Sequence, residues 1–378
     1  MNVDCHGDDL SSAEYLRRFN RRVAEQNIPA QGSFALTHRC NLRCQHCYVR
    51  TTDNGETARN ELTTQEAFKI LDQCAETGCL SLLLTGGEPL LRPDFREIYT
   101  HAKLLGMFVT VFTNGTLVSK EHAEMFADLP PRAVEITLYG ATPETYEKVT
   151  GIRGSFRRCV DGMERLLKYG VSLRMKTTLL TTNRHELPAM EKMALDYGAK
   201  FRFDACIFPR LDGDKFPLTF RTSPEDAAVA ELADPERARE WRDFFGRMSA
   251  SAASDSLYWC AAGITAFHVD ANGQLQPCMM VRNVQYNLKG GNFADGWLEV
   301  VSRTKDKKAG LNSRCRNCDK KVLCGYCPGF FELESGSEHE PSEYLCRMGH
   351  ERFSRLGISE DGEGHETRVE ATTTQRAL

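Results

Sequence analysis

The residues best suited to chemistry are three thiols within eight positions: Cys40-Asn41-Leu42-Arg43-Cys44-Gln45-His46-Cys47, spaced C-x3-C-x2-C. A closed tetrahedral metal site takes four protein ligands. Three clustered cysteines leave one position open, as in a [4Fe–4S] cubane whose fourth iron has no protein ligand. A zinc site fits the stretch equally well if a fourth ligand lies nearby, for instance His38 or His46. More cysteines follow: Cys260, Cys278, then Cys315-x2-Cys318-x5-Cys324-x2-Cys327, and Cys346. CxxC pairs at this density mark metal sites, with a structural zinc ribbon as the plainer alternative. Asn272-Gly273 between extended runs predicts a two-residue hairpin turn that brings Cys260 and Cys278 toward one region. Cys5, Cys74, Cys79, Cys159 and Cys206 are scattered and read as small buried hydrophobes.

These thiols need a frame, and strand-like and helical stretches alternate from Ser33 to about Cys206. Residues 34–37 read as a strand leading directly into the thiols. Thr63-Thr64-Gln65-Glu66 has the pattern of a capping box and starts a helix reaching Thr77. Further strands fall at 80–84, 107–112, 134–138, within 171–180, and at 200–204. Helices end at Gly78, Gly106, Gly170 and Gly198, each just before a strand. Such repeats give a parallel sheet, because parallel strands require crossover connections. The number of units fits an open doubly wound sheet or a partial barrel, and in both, ligands bind at the C-terminal ends of the strands. The cysteine stretch follows the first strand. Thr85-Gly86-Gly87-Glu88-Pro89 follows the second, Thr113-Asn114-Gly115 the third and Leu138-Tyr139-Gly140 the fourth. Paired glycines let backbone approach a ligand, and Glu88 with nearby backbone groups can accept from an amino group. A plain strand-to-helix turn is the alternative.

The flanks are simpler. Residues 1–30 form an extension with a helix at about 13–26, whose Tyr15, Leu16, Phe19 and Val23 recur at helical spacing and should pack on the main domain. Residues 207–255 connect the frame to a cysteine-rich unit at 256–350, through a charged helix that starts at Ser223-Pro224 and runs to about 248. The tail, 351–378, is mostly polar and is expected to be disordered. Of 378 residues, 41% are hydrophobic and 26% charged, which suits a globular protein in water. A net charge of −4 argues against a nucleic-acid-binding surface over the whole molecule. There is no apolar run of membrane-spanning length, and residues 1–9 lack an export signal, so a cytoplasmic location is expected. In that reducing compartment fifteen cysteines point to metal ligation rather than to disulfides.

Cys40-x3-Cys44-x2-Cys47, Gly86-Gly87-Glu88-Pro89 and Thr113-Asn114-Gly115, in that order at the ends of the first three strands, resemble the radical SAM superfamily. The resemblance covers about 33–206 and resolves the opening choice in favour of iron and sulfur. It implies an α/β fold, a partial (β/α)6 TIM-like barrel. It also implies that Cys40, Cys44 and Cys47 bind a [4Fe–4S] cluster whose open iron is chelated by the amine and carboxylate of S-adenosylmethionine. Gly86, Gly87, Glu88 and Pro89 would lie at the methionine amino group, and Asn114, Thr137 and Lys176 at the ribose or carboxylate. His46 stands where the family often has an aromatic residue, and its ring would pack beside the cluster or the adenine.

Gly273-x4-Cys278, Cys315-x2-Cys318-x5-Cys324 and the late Cys346 resemble the SPASM extension found in part of that superfamily. Cys324 and Cys327 are separated by two residues where the family often has three. Carried over by position, Cys260, Cys278 and Cys327 would hold a first auxiliary [4Fe–4S] cluster, with its fourth ligand unassigned. Cys315, Cys318, Cys324 and Cys346 would hold a second. The implied activity is reductive cleavage of S-adenosylmethionine to a 5′-deoxyadenosyl radical that abstracts hydrogen from a substrate. The SPASM resemblance favours a ribosomally made peptide as substrate. The partners would then be that peptide, a separate leader-recognition protein, and a flavodoxin- or ferredoxin-type electron donor, with no nucleic acid and no membrane. Modification of a tetrapyrrole side chain or another small molecule is the second reading. A non-catalytic iron–sulfur or zinc protein is the third. The sulfatase-oxidising subgroup carries an Asp after its second SPASM cysteine; Met279 and Met280 follow Cys278 here, which ranks that activity low.

Overall fold

The computed structural model describes residues 11–49, 60–252, 255–310 and 313–358. Helix α1 (Ser12–Glu25) precedes the first strand. The site is then carried by β1 (Gln31–Ala35), β2 (Ser81–Thr85), β3 (Phe108–Thr113), β4 (Ala133–Thr137), β5 (Leu173–Thr178) and β6 (Lys200–Asp204). The crossovers between them are α2 (Thr64–Glu76), α3 (Phe95–Leu104), α4 (Lys120–Asp128), the pair α5 (Pro143–Thr150) and α6 (Ser155–Lys168), and α7 (Leu187–Asp196). Each strand pairs in parallel with its neighbour in sequence. A doubly wound sheet reverses its strand order part-way. Here the order runs from β6 to β1 without reversal, the winding of a barrel that does not close.

Local chemistry sets these elements where the sequence puts them. Thr63 and Glu66 form the reciprocal capping box at the start of α2. Gly78, Gly106, Gly170 and Gly198 all have positive φ, the left-handed conformation that ends a helix cheaply only at glycine. Alternate strand residues such as Leu82, Leu84, Val109, Val111, Val134 and Ile136 are buried in one continuous core with Ile70, Leu71, Ile98 and Tyr99 from the helices.

After β6 come α8 (Pro224–Leu232) and α9 (Pro235–Ala252), then β7 (Ala266–Val269), β8 (Gln274–Gln276), β9 (Tyr286–Asn287), α10 (Phe293–Thr304), α11 (Pro328–Ser335) and α12 (Glu343–Arg355). Several expectations need correcting here. The single helix expected after Ser223 is two helices, because Pro235 starts a new one, as proline does at a first helical position. The cysteine-rich unit continues the sheet of the frame: β7 pairs in parallel with β1, and β8 and β9 follow antiparallel, giving one nine-stranded sheet. The hairpin between β7 and β8 has a three-residue loop rather than a two-residue turn. Asp270 N–H donates to Gln274 O, and the Asp270 side chain accepts from the N–H groups of Asn272 and Gln274, each at 2.9 Å. Gly273 takes the positive-φ position of that loop. The apolar face of α1 is largely uncovered, with Tyr15 60% and Phe19 37% exposed, and only Val23 buried. The helix is tied down at its C-terminal end instead, where Trp297 Nε1 donates to Asn27 O at 2.6 Å. The expected disorder of the tail falls mostly on 359–378, outside the described residues.

Candidate active site

Between β1 and the thiols the chain is held by a carboxylate that sequence reasoning missed. Glu61 accepts from Thr37 Oγ1 at 2.7 Å and His38 N–H at 2.8 Å, and pairs with Arg39 at 3.3 Å. The far side of the loop is fastened to the end of α5, where Arg43 N–H and Gln45 N–H donate to Thr150 O and Val149 O. Asn41 reaches across to Thr116 Oγ1 at 2.8 Å and accepts from Asn114 Nδ2 at 2.9 Å. Cys40, Cys44 and Cys47 thus face a cavity of about 300 Å³ at the C-terminal ends of the strands. Burial, then the neighbouring Glu88 and Cys47, pushes the Cys40 thiol up to about 11. Burial and the other two thiols raise Cys44 as well. Binding a metal here would therefore release protons.

Gly86 and Gly87 lie on the cavity wall and press against that same loop. Gly87 N–H donates to Thr37 O at 2.7 Å and Glu88 N–H to Arg39 O at 2.8 Å. A Cβ on Gly87 would stand 2.7 Å from Arg39 C and 2.8 Å from His38 O. Gly86 has φ +141° and leaves no room for a side chain against Thr37. The close approach served by these glycines is thus, in the first place, backbone on backbone.

Glu88 and Pro89 do not line the cavity. The Glu88 side chain is fully buried and accepts from Thr113 Oγ1 and Asn114 N–H, both at 2.7 Å, and from Leu90 N–H at 3.1 Å. It ties the loop after β3 to the loop after β2. Desolvation raises Glu88 to about 7, against the pull of its three donors. A carboxyl raised on folding adds stability below its ordinary pKa and loses it as pH rises through the folded value. Urea unfolding of the metal-free protein should therefore show a loss of ~3 kcal/mol from this group between acid pH and pH 8. Glu88→Gln should flatten that part of the profile.

Asn114, Thr137 and Lys176 all line the cavity. Asn114 Nδ2 lies 3.8 Å from Cys40 Sγ. Lys176 Nζ sits 3.0 Å from the centre of the Phe112 ring and 3.1 Å from Glu135 Oε1, and Arg202 bonds the same carboxylate. Burial lowers Lys176 to about 8. His46 is buried in the wall, edge-on to Tyr139 with ring centres 5.0 Å apart, and desolvation lowers it to about 4. Its Nδ1 is buried with no hydrogen-bond partner among the described residues. Tyr139 lines the same cavity, and its hydroxyl works to lower the Cys44 thiol against burial.

Sequence reasoning also missed Tyr48, Phe112, Arg202, Asp204 and Phe208 as lining residues. Strand alternation could have found Arg202 and Asp204, since both stand on one face of β6 at its C-terminal half. Cys74, Cys79 and Cys159 are buried fillers as expected, and Cys5 lies outside the described residues. Cys206 departs from that expectation. It is half-buried, lines the cavity, and packs with Phe208 on the aromatic cluster of the cysteine-rich unit.

The remaining cysteines fall into two neighbourhoods. Burial pushes Cys327 up to about 12, with Cys278 and Cys260 as further contributors. Burial acts in the same direction on Cys324, pushed up to about 12 beside Cys315, Cys318 and Cys346. Those last four line one small cavity with Lys320 and Lys321. Cys327 caps α11, its sulfur accepting from Phe330 N–H at 3.4 Å, which offsets part of the effect of burial. Gly349 lets α12 pack directly on Cys324, since a Cβ there would meet Cys324 Cβ at 2.6 Å. Among the described residues no three His, Cys, Asp or Glu side chains converge tightly enough to hold one ion. A cubane spreads its thiolates over separate irons and does not require that convergence. The ten cysteines thus offer all-sulfur donor sets of three, three and four, which fits the chemistry of iron–sulfur clusters.

The protein-family model described as the radical SAM superfamily matches residues 34–194. An AdoMet-dependent heme synthase of Methanosarcina barkeri is 27% identical over 85% of this chain and 97% of its own length. A PqqA peptide cyclase of Bradyrhizobium diazoefficiens is 30% identical over 91% of this chain and 93% of its own. Among solved structures, Streptococcus suis SuiB bound to the precursor peptide SuiA matches with a TM-score of 0.66 and 16% identity, covering 92% of this chain and 83% of that one. The chain belongs to the radical SAM superfamily, whose enzymes use a [4Fe–4S] cluster and S-adenosylmethionine. The partial barrel is the fold those structures share, and the cysteine-rich C-terminal part is present. No helix among the described residues is long and apolar enough to cross a membrane.

Proposed function

We propose that this enzyme matures a ribosomally made peptide by removing hydrogen from it, forming a cross-link or an unsaturation. The relative that supports this reading most directly is the peptide cyclase, which matches nearly the whole chain at 30% identity. The observation that carries it is one cavity with two sets of lining residues. The Cys40–Cys47 loop lines it with Gly86 and Gly87. Cys206, Ile207 and Phe208 line it too, with Phe208 against Tyr48 at ring centres 5.0 Å apart. Phe208 packs on Phe330 of the cysteine-rich unit, with ring centres 6.0 Å apart. A side chain inserted into this cavity would meet both the cysteine loop and the stretch that packs on the cysteine-rich unit.

In this reading 31–206 is the core, 207–255 a connection and 256–350 the auxiliary unit. Cys40, Cys44 and Cys47 hold the first cluster; Cys260, Cys278 and Cys327 the second; Cys315, Cys318, Cys324 and Cys346 the third. Bound cluster and S-adenosylmethionine supply the one-electron chemistry that breaks a C–H bond. The chain supplies placement. The backbone of Gly86 and Gly87 receives the amino group, and Asn114 orders the loop beside Cys40. Lys176, shared with Glu135, offers a positive charge to a carboxylate. Tyr139 and His46 exclude water from the thiols. A leader-recognition protein and a flavodoxin- or ferredoxin-type donor complete the system.

The heme synthase, covered over 97% of its length, supports a second reading, modification of a tetrapyrrole side chain. Anaerobic reaction with reduced, reconstituted protein separates the two. Mass spectrometry of a candidate peptide should show loss of two hydrogens, with 5′-deoxyadenosine formed in step. A peptide left unchanged, with an iron-tetrapyrrole carboxylate consumed instead, would overturn the leading reading.

A further inference from the structure

The cavity lined by Cys315, Cys318, Cys324 and Cys346 contains a charge that neither the motif nor the relatives' names assign. Lys321 is 1% exposed, among the largest fully buried side chains of the protein. Lysine is almost never fully buried unless a negative partner is near. Its place is fixed by the chain itself. It lies in the single 3-10 turn Asp319–Val322 between Cys318 and Cys324. Its N–H donates to Cys318 O, and its carbonyl accepts from Cys324 Sγ at 3.3 Å. The ammonium packs 4.5 Å from the centre of the Tyr326 ring and 5.9 Å from that of Trp259. Burial works against its charge, and Cys315, Cys324 and Cys318, which line the same small cavity, would favour that charge once they are thiolates. The other cations here are matched differently: Lys320 bonds Asp319 at 3.0 Å, and Arg314 bonds Glu343 at 2.9 Å.

We propose that Lys321 is a positioning residue for the four-cysteine site, a fixed positive charge that raises the reduction potential of the cluster held there. This rests on the reading that those four cysteines hold a [4Fe–4S] cluster. One-electron reduction adds a negative charge to a group whose four thiolate ligands already make it anionic. A cation enclosed with it, away from water, stabilises the reduced form more than the oxidised form. The aromatic rings keep water from screening that charge. Neighbouring charge and solvent exposure are among the terms by which a protein sets cluster potentials.

The test uses the reconstituted full-length protein and EPR-monitored redox titration of wild type, Lys321→Met, Lys321→Gln and Lys321→Arg. The neutral variants should lower the midpoint of one cluster by about tenfold in its reduction equilibrium, about 59 mV for one electron. Lys321→Arg should stay near wild type. The shifted signal should be the one absent from Cys318→Ser. Equal midpoints in Lys321→Met or Lys321→Gln, with iron and sulfide at wild-type levels, would overturn the role of Lys321. Zinc without labile sulfide in the wild-type site, or no signal lost in Cys318→Ser, would instead overturn the cluster assignment beneath it.

Discussion

Cys40→Ala should abolish 5′-deoxyadenosine formation and remove about four irons from the reconstituted protein, the content of one cubane. The expected size follows from geometry. Cys40 stands at the start of the loop, within the field of Cys47 and beside Asn114, and two remaining thiols cannot hold an iron site open in a defined place. The informative control is Cys74→Ala. Cys74 is equally a free thiol, but it is buried in α2 against the sheet. Its loss should cost ~1 kcal/mol of packing and leave iron content and S-adenosylmethionine cleavage unchanged. Iron and sulfide assays with chromatographic detection of 5′-deoxyadenosine read both variants. Equal iron in Cys40→Ala and wild type would remove the ligand assignment.

Gly87→Ala should be nearly as damaging although it deletes nothing. The new methyl would overlap Arg39 O and crowd Arg39 C and His38 O, all backbone atoms immediately before Cys40. Backbone cannot swing aside as a side chain can, so the loop must move or β2 must. Overpacking of this kind costs ~1–3 kcal/mol, and here the displacement falls on the first ligand. The variant should lose the iron of the first site and its S-adenosylmethionine cleavage while keeping the auxiliary sites. Gly290→Ala, where an added Cβ meets nothing within 4 Å, should behave as wild type. A Gly87→Ala protein with full activity would show that the close approach has slack.

The thiol loop and the paired glycines were legible because their chemistry is local: spacing alone sets which thiols share a loop, and a strand end sets which way the loop faces. The capping box at Thr63 was legible for the same reason. What stayed hidden depends on partners far along the chain. The sequence Gly-Gly-Glu-Pro does not reveal that Glu88 turns inward, since its donors Thr113 and Asn114 come from another loop. Glu61 looks like any surface acid until the start of the cysteine stretch folds onto it. Cys206 reads like the other scattered thiols, and only the fold brings it to the cavity beside Phe208. Lys321 lies in a run, Asp319-Lys320-Lys321, that reads as solvated charge, and only the fold of the cysteine turn covers one of the two lysines. Tyr15 and Phe19 fail in the other direction: helical spacing marks an apolar face but does not say that anything covers it.

The pairing of β7 with β1 bears on how the protein is made. A ribosome completes β1, at 31–35, more than two hundred residues before Ala266–Val269 emerges to cover its second edge. During that interval β1 is an open strand edge beside three thiols, a template for mispairing. Contacts of such long sequence separation form late and slowly. The barrel therefore cannot settle in its finished state until the auxiliary unit begins to fold, so iron delivered to Cys40, Cys44 and Cys47 before then would meet a loop whose supporting strand still has one free side. Loading of the first site should accordingly follow synthesis of the last third of the chain, and a chain cut at 255 should expose an aggregation-prone edge rather than yield a smaller working enzyme.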